Sequence, residues 1–122
     1  TLIQRTVRGI CEAFGATCEI EVRVGYPFLE NDPEMTDQAK SFAVEYLGEE
    51  NVVDLEIWPA GEDFAFYTRE IPGCFYRLGT RNESKGIVSM LHTPTFDIDE
   101  NALEIGMGLM AYMALRQLGL EG

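Results

Sequence analysis

The chain has 122 residues, of which 46% are hydrophobic and 11% aromatic, and its formal net charge is −12. This length suits a single domain with a core, and the apolar content excludes a disordered segment. The acidic surface repels phosphate backbones, so nucleic acid is not an expected partner, and no apolar run approaches the roughly 20 residues that span a bilayer.

The first 25 residues predict a helix followed by a strand. Apolar side chains from Ile3 to Phe14 recur at helical spacing and predict an amphipathic helix over residues 1–14, with Gly15 as its stop. Residues 18–24 alternate between apolar and charged side chains, which predicts a half-buried strand. The chain opens on Thr1, without an initiator Met and inside this helical pattern, so we expect a fragment of a longer protein.

A turn-rich connection with two prolines, residues 25–33, predicts a crossing between domains. A second helix then begins with clear signals. Asp32 is a suitable N-cap, Pro33 suits the first helical position, Glu34 favours the helix dipole, and Gly48 is the expected stop. The predicted buried stripe of this helix consists of Met35, Ala39, Phe42, Ala43, Tyr46 and Leu47.

The second half of the chain predicts strands at residues 52–58 and 74–78, separated by a third helix. That helix would open at Gly61 and close at Pro72, and residues 81–86 would form a polar loop. Asp97 and Glu100 resemble a capping box for a last, well-buried helix ending near Leu118. The glycines inside it, at positions 106 and 108, are interpreted as packing positions.

Three cysteines, Cys11, Cys18 and Cys74, form no CxxC pair. An odd number with this spacing favours free thiols in a cytoplasmic protein over a disulfide framework. Cys11 lies on the apolar face of the first helix, where a thiol behaves as a small hydrophobe.

The only histidine, His92, lies in a loop stiffened by Pro94 and followed by several acidic residues. A neutral imidazole is a good ligand for zinc and similar ions. From chemistry alone, a single histidine is more often a structural or surface residue, so both interpretations stay open at this point. One histidine cannot complete a zinc site.

Gly61, Glu62 and Asp63 place two carboxylates at a predicted helix N-terminus. Acidic residues favour the first turn of a helix, which is a sufficient structural explanation. The functional alternative is that small residues let a ligand approach the backbone amides. The sequence contains no Ser-His-Asp or Cys-His set, no GxGxxG and no Walker loop.

Three segments resemble, in order, the motifs of the metal-dependent N-acyl-amino-acid amidohydrolases, a family that includes hippurate hydrolases and auxin-conjugate hydrolases. Residues 91–100 read LHTPTFDIDE and give the most specific match. Residues 61–79 contain GEDF, IPGCF and LG, and residues 25–32 read GYPFLEND. The family is related to aminoacylase and to dinuclear zinc carboxypeptidases, and the resemblance covers nearly the whole chain.

The resemblance implies an α/β fold. Residues 26–122 would be the C-terminal part of a mixed α/β, zinc-peptidase-like catalytic domain. Residues 1–25 would be the last helix and strand of a ferredoxin-like lid domain, which often mediates homodimerisation in this family.

The resemblance also implies that His92 is a metal ligand, and that Gly61, Glu62, Asp63 and Thr93 line the active site. The other ligands and the general-base glutamate would come from the missing N-terminal half, so the fragment itself would be inactive. The full-length site would hold two divalent metals, zinc or manganese, with cobalt or nickel as alternatives. Such metals lower the pKa of bound water from about 15.7 toward 7.

The implied reaction is hydrolysis of the amide bond of an N-acyl amino acid or small peptide, with no nucleic-acid or membrane partner. Two alternatives stay open. The first is an aminopeptidase or carboxypeptidase of the same superfamily. The second is a non-catalytic acidic binding domain in which His92 is structural.

Overall fold

The computed structural model describes residues 1–58 and 60–120. Within these ranges the chain forms three α-helices, α1 (Leu2–Ala13), α2 (Pro33–Leu47) and α3 (Asn101–Gln117), and short 3₁₀ helices at Glu49–Asn51, Asp63–Phe66 and Glu83–Lys85. An isolated antiparallel bridge joins Asn82 to Ile87. No helix in the described part of the chain is long and apolar enough to cross a bilayer.

Helix α1 matches the predicted first helix, and Gly15 follows it with a φ of +66°, a conformation that favours glycine. The apolar stripe of the helix remains exposed, since no residue of α1 is buried and Phe14 is 84% exposed. Helix α1 packs against neither α2 nor α3. An amphipathic helix is stabilised mainly by covering its apolar face, so this face lacks the partner that its pattern predicts.

Helix α2 confirms the predicted start and stop. The Asp32 carboxylate accepts a hydrogen bond from Met35 N at 2.9 Å, Pro33 occupies the first helical position, and Gly48 ends the helix with a φ of +89°. A side-chain cap of this kind satisfies one of the amides that a helix N-terminus leaves free. Of the predicted stripe, Ala43 is buried, whereas Tyr46 is 42% exposed.

Helices α2 and α3 pack against each other and form the small core. The rings of Tyr46 and Tyr112 lie 5.4 Å apart, and Glu45 accepts a hydrogen bond from the Tyr112 hydroxyl at 2.8 Å. Arg116 pairs with Glu45 at 3.1 Å. A Cβ on Gly108 would collide with the Tyr46 hydroxyl, which confirms that glycine at this position permits close helix packing.

The predicted cap of the last helix is wrong. Helix α3 begins at Asn101 rather than after Asp97, and its capping position, Glu100, makes no side-chain hydrogen bond. Among residues 1–58 and 60–120, the Asp97 carboxylate accepts a hydrogen bond only from the adjacent Ile98 N. Asp99 accepts from Asn101 N at 3.2 Å instead. The capping-box spacing depends on local sequence alone. It predicted the wrong helix start because distant parts of the chain hold Asp99.

The prediction that the last helix is well buried is also wrong. Ala102 and Leu109 are the buried apolar residues of α3, whereas Met107 is 69% and Met110 is 60% exposed. The helix is apolar around most of its circumference, and α2 covers one side of it. The remaining apolar surface has no layer packed on it in the described part of the chain.

The three predicted strands have no regular secondary structure and form no ladder in the described residues. Residues 18–24, 52–58 and 74–78 contain no paired strand, and Val24 and Ile57 are 96% and 98% exposed. The α/β expectation is therefore not confirmed within residues 1–58 and 60–120. A strand forms a ladder only when a neighbouring strand pairs with its backbone amides and carbonyls. An alternating sequence does not by itself supply that neighbouring strand.

The prediction of a third helix between Gly61 and Pro72 is also wrong. In the structure this segment contains a 3₁₀ helix of four residues, Asp63–Phe66, followed by turns. The ring of Phe64 lies 5.7 Å from that of Phe75 and 5.8 Å from that of Tyr67. This packing folds the chain back toward the segment after Pro72. The tighter 3₁₀ turn suits such a short connection.

Candidate metal-ligand loop

His92 lies in a turn and is exposed to solvent. Its φ is +63°, and it is the one non-glycine residue with positive φ in the described part of the chain. A left-handed backbone costs an L-residue roughly 1–2 kcal/mol, so the rest of the turn must hold His92 in this conformation. Strained residues of this kind concentrate at functional sites, although the strain itself does not identify the function.

Short hydrogen bonds shape the histidine loop, which we define as residues 88–98. The Thr93 hydroxyl donates to the Met90 carbonyl at 2.8 Å, and Phe96 N donates to the Thr93 carbonyl at 3.1 Å. The hydroxyls of Ser89 and Thr95 lie 2.9 Å apart across the loop. These bonds support the turn that presents His92. They also give Thr93, predicted to line an active site, a structural role.

The loop offers a metal ion one ligand and no complete site. In residues 1–58 and 60–120, no group of three or more His, Cys, Asp or Glu side chains could hold a metal ion. No hydrogen bond within that part of the chain engages the His92 imidazole, so its ring nitrogens are accessible from solvent. The residues present fit the role of one contributed ligand, and a metal site would need further ligands from elsewhere.

The base of the histidine loop is held by three residues that we call the loop clasp: Asn82, Lys85 and Asp99. The Asp99 carboxylate accepts from Lys85 Nζ at 2.6 Å and from Asn82 Nδ2 at 2.5 Å. Asp99 is 9% exposed. The hydrogen bonds from Lys85, and then Asn82, lower the pKa of Asp99 from 3.8 to about 2, against the opposing effect of desolvation.

No local sequence pattern marks the loop clasp. Asp99 stands in the LHTPTFDIDE motif, but its partners lie 14 and 17 residues earlier, in a stretch interpreted as a polar loop. The local signal was weak, since Asp99 stands between Ile98 and Glu100. Ile98 and Ala102 on either side of it are partly or fully buried.

Glu62 and Asp63 have different environments in the structure. Glu62 is partly buried, and its carboxylate accepts from Phe64 N at 3.2 Å, which caps the 3₁₀ helix. Asp63 is exposed. A Cβ on Gly61 would lie 3.4 Å from the Tyr26 ring, an ordinary contact. In the described ranges, no hydrogen bond or ion pair joins these residues to His92, so the structural explanation for Glu62 is favoured.

The cysteines are free thiols, as predicted. A hydrogen bond with the Cys11 side chain raises the pKa of the exposed Cys18 thiol. Cys74 lies 3.7 Å from the Asn31 side chain, whose amide also bonds the Phe75 backbone. These positions give the cysteines no ligand cluster in the described residues.

The largest groove of those described lies away from the histidine loop. It has a volume of ≈ 640 Å³ and runs between α2, residues 51–55, residues 74–79 and one side of α3. None of the five predicted site residues lines it. Its walls combine apolar side chains such as Leu47, Phe75 and Leu109 with the ion pair of Lys40 and Asp54.

Comparison with known proteins assigns most of the chain to one family. A family model described as peptidase family M20/M25/M40 matches residues 4–116. Thermostable carboxypeptidase 2 of Saccharolobus solfataricus is 35% identical over 115 residues, covering 93% of this chain and 28% of the relative. Putative amidohydrolase YhaA of Bacillus subtilis is 35% identical over 113 residues, covering 93% and 28%.

A third relative is N-acetyldiaminopimelate deacetylase of Pediococcus pentosaceus, 33% identical over 114 residues, with 87% of this chain and 27% of the relative covered. No solved structure matches the chain. The chain thus spans little more than a quarter of the length of these curated relatives.

Proposed function

The chain belongs to peptidase family M20/M25/M40, and we propose that it forms the C-terminal part of a metal-dependent hydrolase that cleaves the amide bond of N-acyl amino acids. The observation that carries this proposal is His92, held on an exposed left-handed turn inside the matched residues 4–116. Two relatives have names that fit, a putative amidohydrolase and a deacetylase of N-acetyldiaminopimelate.

In the proposed enzyme His92 is one ligand of a site that the rest of the full-length protein completes. One imidazole cannot hold a catalytic metal, which needs about three protein ligands. The N-terminal half would supply the remaining ligands and the glutamate that serves as general base. Residues 1–122 alone are therefore expected to be inactive.

The metal would be zinc or manganese, two ions per full-length site, with cobalt or nickel as alternatives. When bound, such an ion polarises the scissile carbonyl and lowers the pKa of a water molecule toward 7. The contribution of this chain is to position the His92 imidazole. A zinc–imidazole bond needs about 2.0–2.1 Å, so the turn of Thr93 and Met90 must place the ring with little freedom.

The site lining is proposed residue by residue. Asp63 has an exposed carboxylate, and Gly61 beside it leaves the backbone open to a ligand. Glu62 and Thr93 would contribute by fixing the backbone, because each already makes a hydrogen bond within its own turn.

We also propose that residues 1–25 belong to a lid domain and residues 26–122 to the catalytic domain, with a homodimer formed through the lid. Helix α1 has an apolar stripe with no helix packed on it in the described part of the chain. A sheet and a second copy would cover such a stripe.

A peptidase of the same family is the second candidate. The carboxypeptidase of Saccharolobus solfataricus is as similar to this chain as the amidohydrolase of Bacillus subtilis, 35% in each case.

A substrate panel with the full-length protein tests the proposal. We expect hydrolysis of N-acetyl and N-benzoyl amino acids, loss of that activity in His92→Ala, and retention in Glu83→Gln, which changes an exposed ion pair with Arg81. Cleavage of dipeptides without cleavage of acyl amino acids would favour the peptidase. Full activity of His92→Ala would refute both.

A further inference from the structure

We propose that Asp99 is a positioning residue for His92: joined to Asn82 and Lys85, it closes the base of the histidine loop and fixes the direction of the imidazole. This inference rests on the proposed function, in which His92 is a metal ligand. Asp99 itself would touch neither metal nor substrate.

Both ends of the histidine loop meet at one residue, Asn82. Its backbone N–H donates to the Ile87 carbonyl at 2.9 Å, and Ile87 N donates back to the Asn82 carbonyl at 2.9 Å. The Asn82 side chain donates to Asp99 at 2.5 Å. Asn82 thus holds the chain immediately before and immediately after residues 88–98.

Asp99 ties this closure to the remainder of the fold. Its backbone N–H donates to the Thr80 carbonyl at 2.9 Å, and its carboxylate accepts from Lys85 Nζ at 2.6 Å and from Asn101 N at the start of α3. A buried carboxylate with several charged or polar donors is a rigid junction, because each partner would be left unpaired if the others moved.

The bonds inside the loop cannot fix its orientation. The contacts of Thr93 with Met90 and of Ser89 with Thr95 join exposed residues at most six positions apart. They shape the turn but do not attach it to the helices. The direction in which His92 points therefore depends on the base, where the loop clasp lies.

Metal affinity responds strongly to groups that orient a ligand, and their loss typically weakens metal binding by about 10–100-fold. We expect Asp99→Ala in the full-length protein to weaken zinc binding by about 10-fold or more. Asp99→Asn keeps one acceptor oxygen for Asn82 and should weaken zinc binding less. The control is Glu45→Gln, which alters the ion pair between α2 and α3, far along the chain from the loop.

The experiment measures zinc affinity of the metal-free full-length protein by competition with a chromogenic chelator, together with the melting temperature of each variant. A role limited to stability would lower the melting temperature of Asp99→Ala and Glu45→Gln while leaving zinc affinity unchanged. The absorption bands of the cobalt-substituted protein give a second readout, since a misplaced imidazole shifts them.

Zinc affinity and cobalt spectra of Asp99→Ala and Asp99→Asn equal to the wild type would overturn the proposal. If Asp99→Ala does not fold, Asn82→Ala replaces it. This variant removes the amide that bonds Asp99 and the cap of the Glu83–Lys85 turn, while the Lys85 ammonium remains available to Asp99, and the same loss of affinity is expected. The His92→Ala variant separates failure of the proposed function from failure of the positioning role. Unchanged zinc binding in that variant refutes the proposed function, whereas loss there without loss in the Asp99 variants refutes the positioning role alone.

Discussion

At the scale of single residues, the sequence singled out His92 as the candidate metal ligand but not the residues that hold its loop. His92 could be singled out because the only imidazole of the chain stands in a specific motif, LHTPTFDIDE. The partners of Asp99 could not be predicted, because its hydrogen bonds with Lys85 and Asn82 span 14 and 17 residues. Local patterns do not encode such contacts.

The depressed pKa of Asp99 predicts how stability changes with acidity. The folded-state pKa of about 2 lies below the ordinary value of 3.8, so the carboxylate stabilises the fold above about pH 4. This contribution is lost as the pH falls toward 2. The difference in the free energy of unfolding between wild type and Asp99→Asn should therefore shrink as the pH decreases from 5 to 2.

Urea unfolding of the full-length protein at several pH values measures this difference. Lys85→Met should show a weaker pH dependence than the wild type, because Lys85 is the largest cause of the lowered pKa of Asp99. A wild-type minus Asp99→Asn difference that stays constant from pH 5 to 2 would contradict the assignment.

At the scale of elements, helices with local start and stop signals were predicted well. Asp32, Pro33 and Gly48 bracket α2 as expected, because caps act within four residues. The predicted strands form no ladder in the described residues, and the start of α3 was misplaced because the contacts of Asp99 are distant in sequence. The predicted third helix is a 3₁₀ helix of four residues, Asp63–Phe66, and its Phe64 ring lies 5.7 Å from that of Phe75, eleven residues later.

The glycines inside helices give a prediction with a matched control. Ala in place of Gly108 would push against the Tyr46 hydroxyl and separate α2 from α3, whereas nothing lies within 4 Å of a Cβ on Gly9. Overpacking typically costs about 1–3 kcal/mol, and Gly to Ala in a helix gains roughly 0.5–1 kcal/mol.

We therefore expect Gly108→Ala to destabilise the full-length protein by about 1 kcal/mol and Gly9→Ala to be neutral or stabilising. Chemical denaturation of both variants measures the effect. Equal stability changes in the two variants would show that Gly108 is not a packing position.

At the scale of the whole molecule, the exposed surface is too large for a self-sufficient domain. The accessible surface is 10306 Å², against roughly 6,600 Å² expected for a folded monomer of this mass. Large apolar side chains are exposed along α3 and along the segments without regular secondary structure. This disfavours the alternative of an independent acidic binding domain.

Residues 1–122 produced alone should self-associate, because many large apolar side chains along α1 and α3 are exposed and exposed apolar surface drives association. Sedimentation velocity at about 50 μM would detect oligomers, and a dye that binds apolar surface would fluoresce strongly. Replacing Met107 and Met110, both more than half exposed, by Lys should reduce association. A monomeric chain with no dye binding would contradict this account.

The central claim is that His92 is a metal ligand, and metal stoichiometry tests it most directly. Elemental analysis of the full-length wild type, His92→Ala and Glu83→Gln, purified in parallel, gives the metal content per subunit. We predict up to two divalent metals in the wild type and in Glu83→Gln, and the loss of at least one in His92→Ala. Equal metal content in all three proteins would contradict the claim.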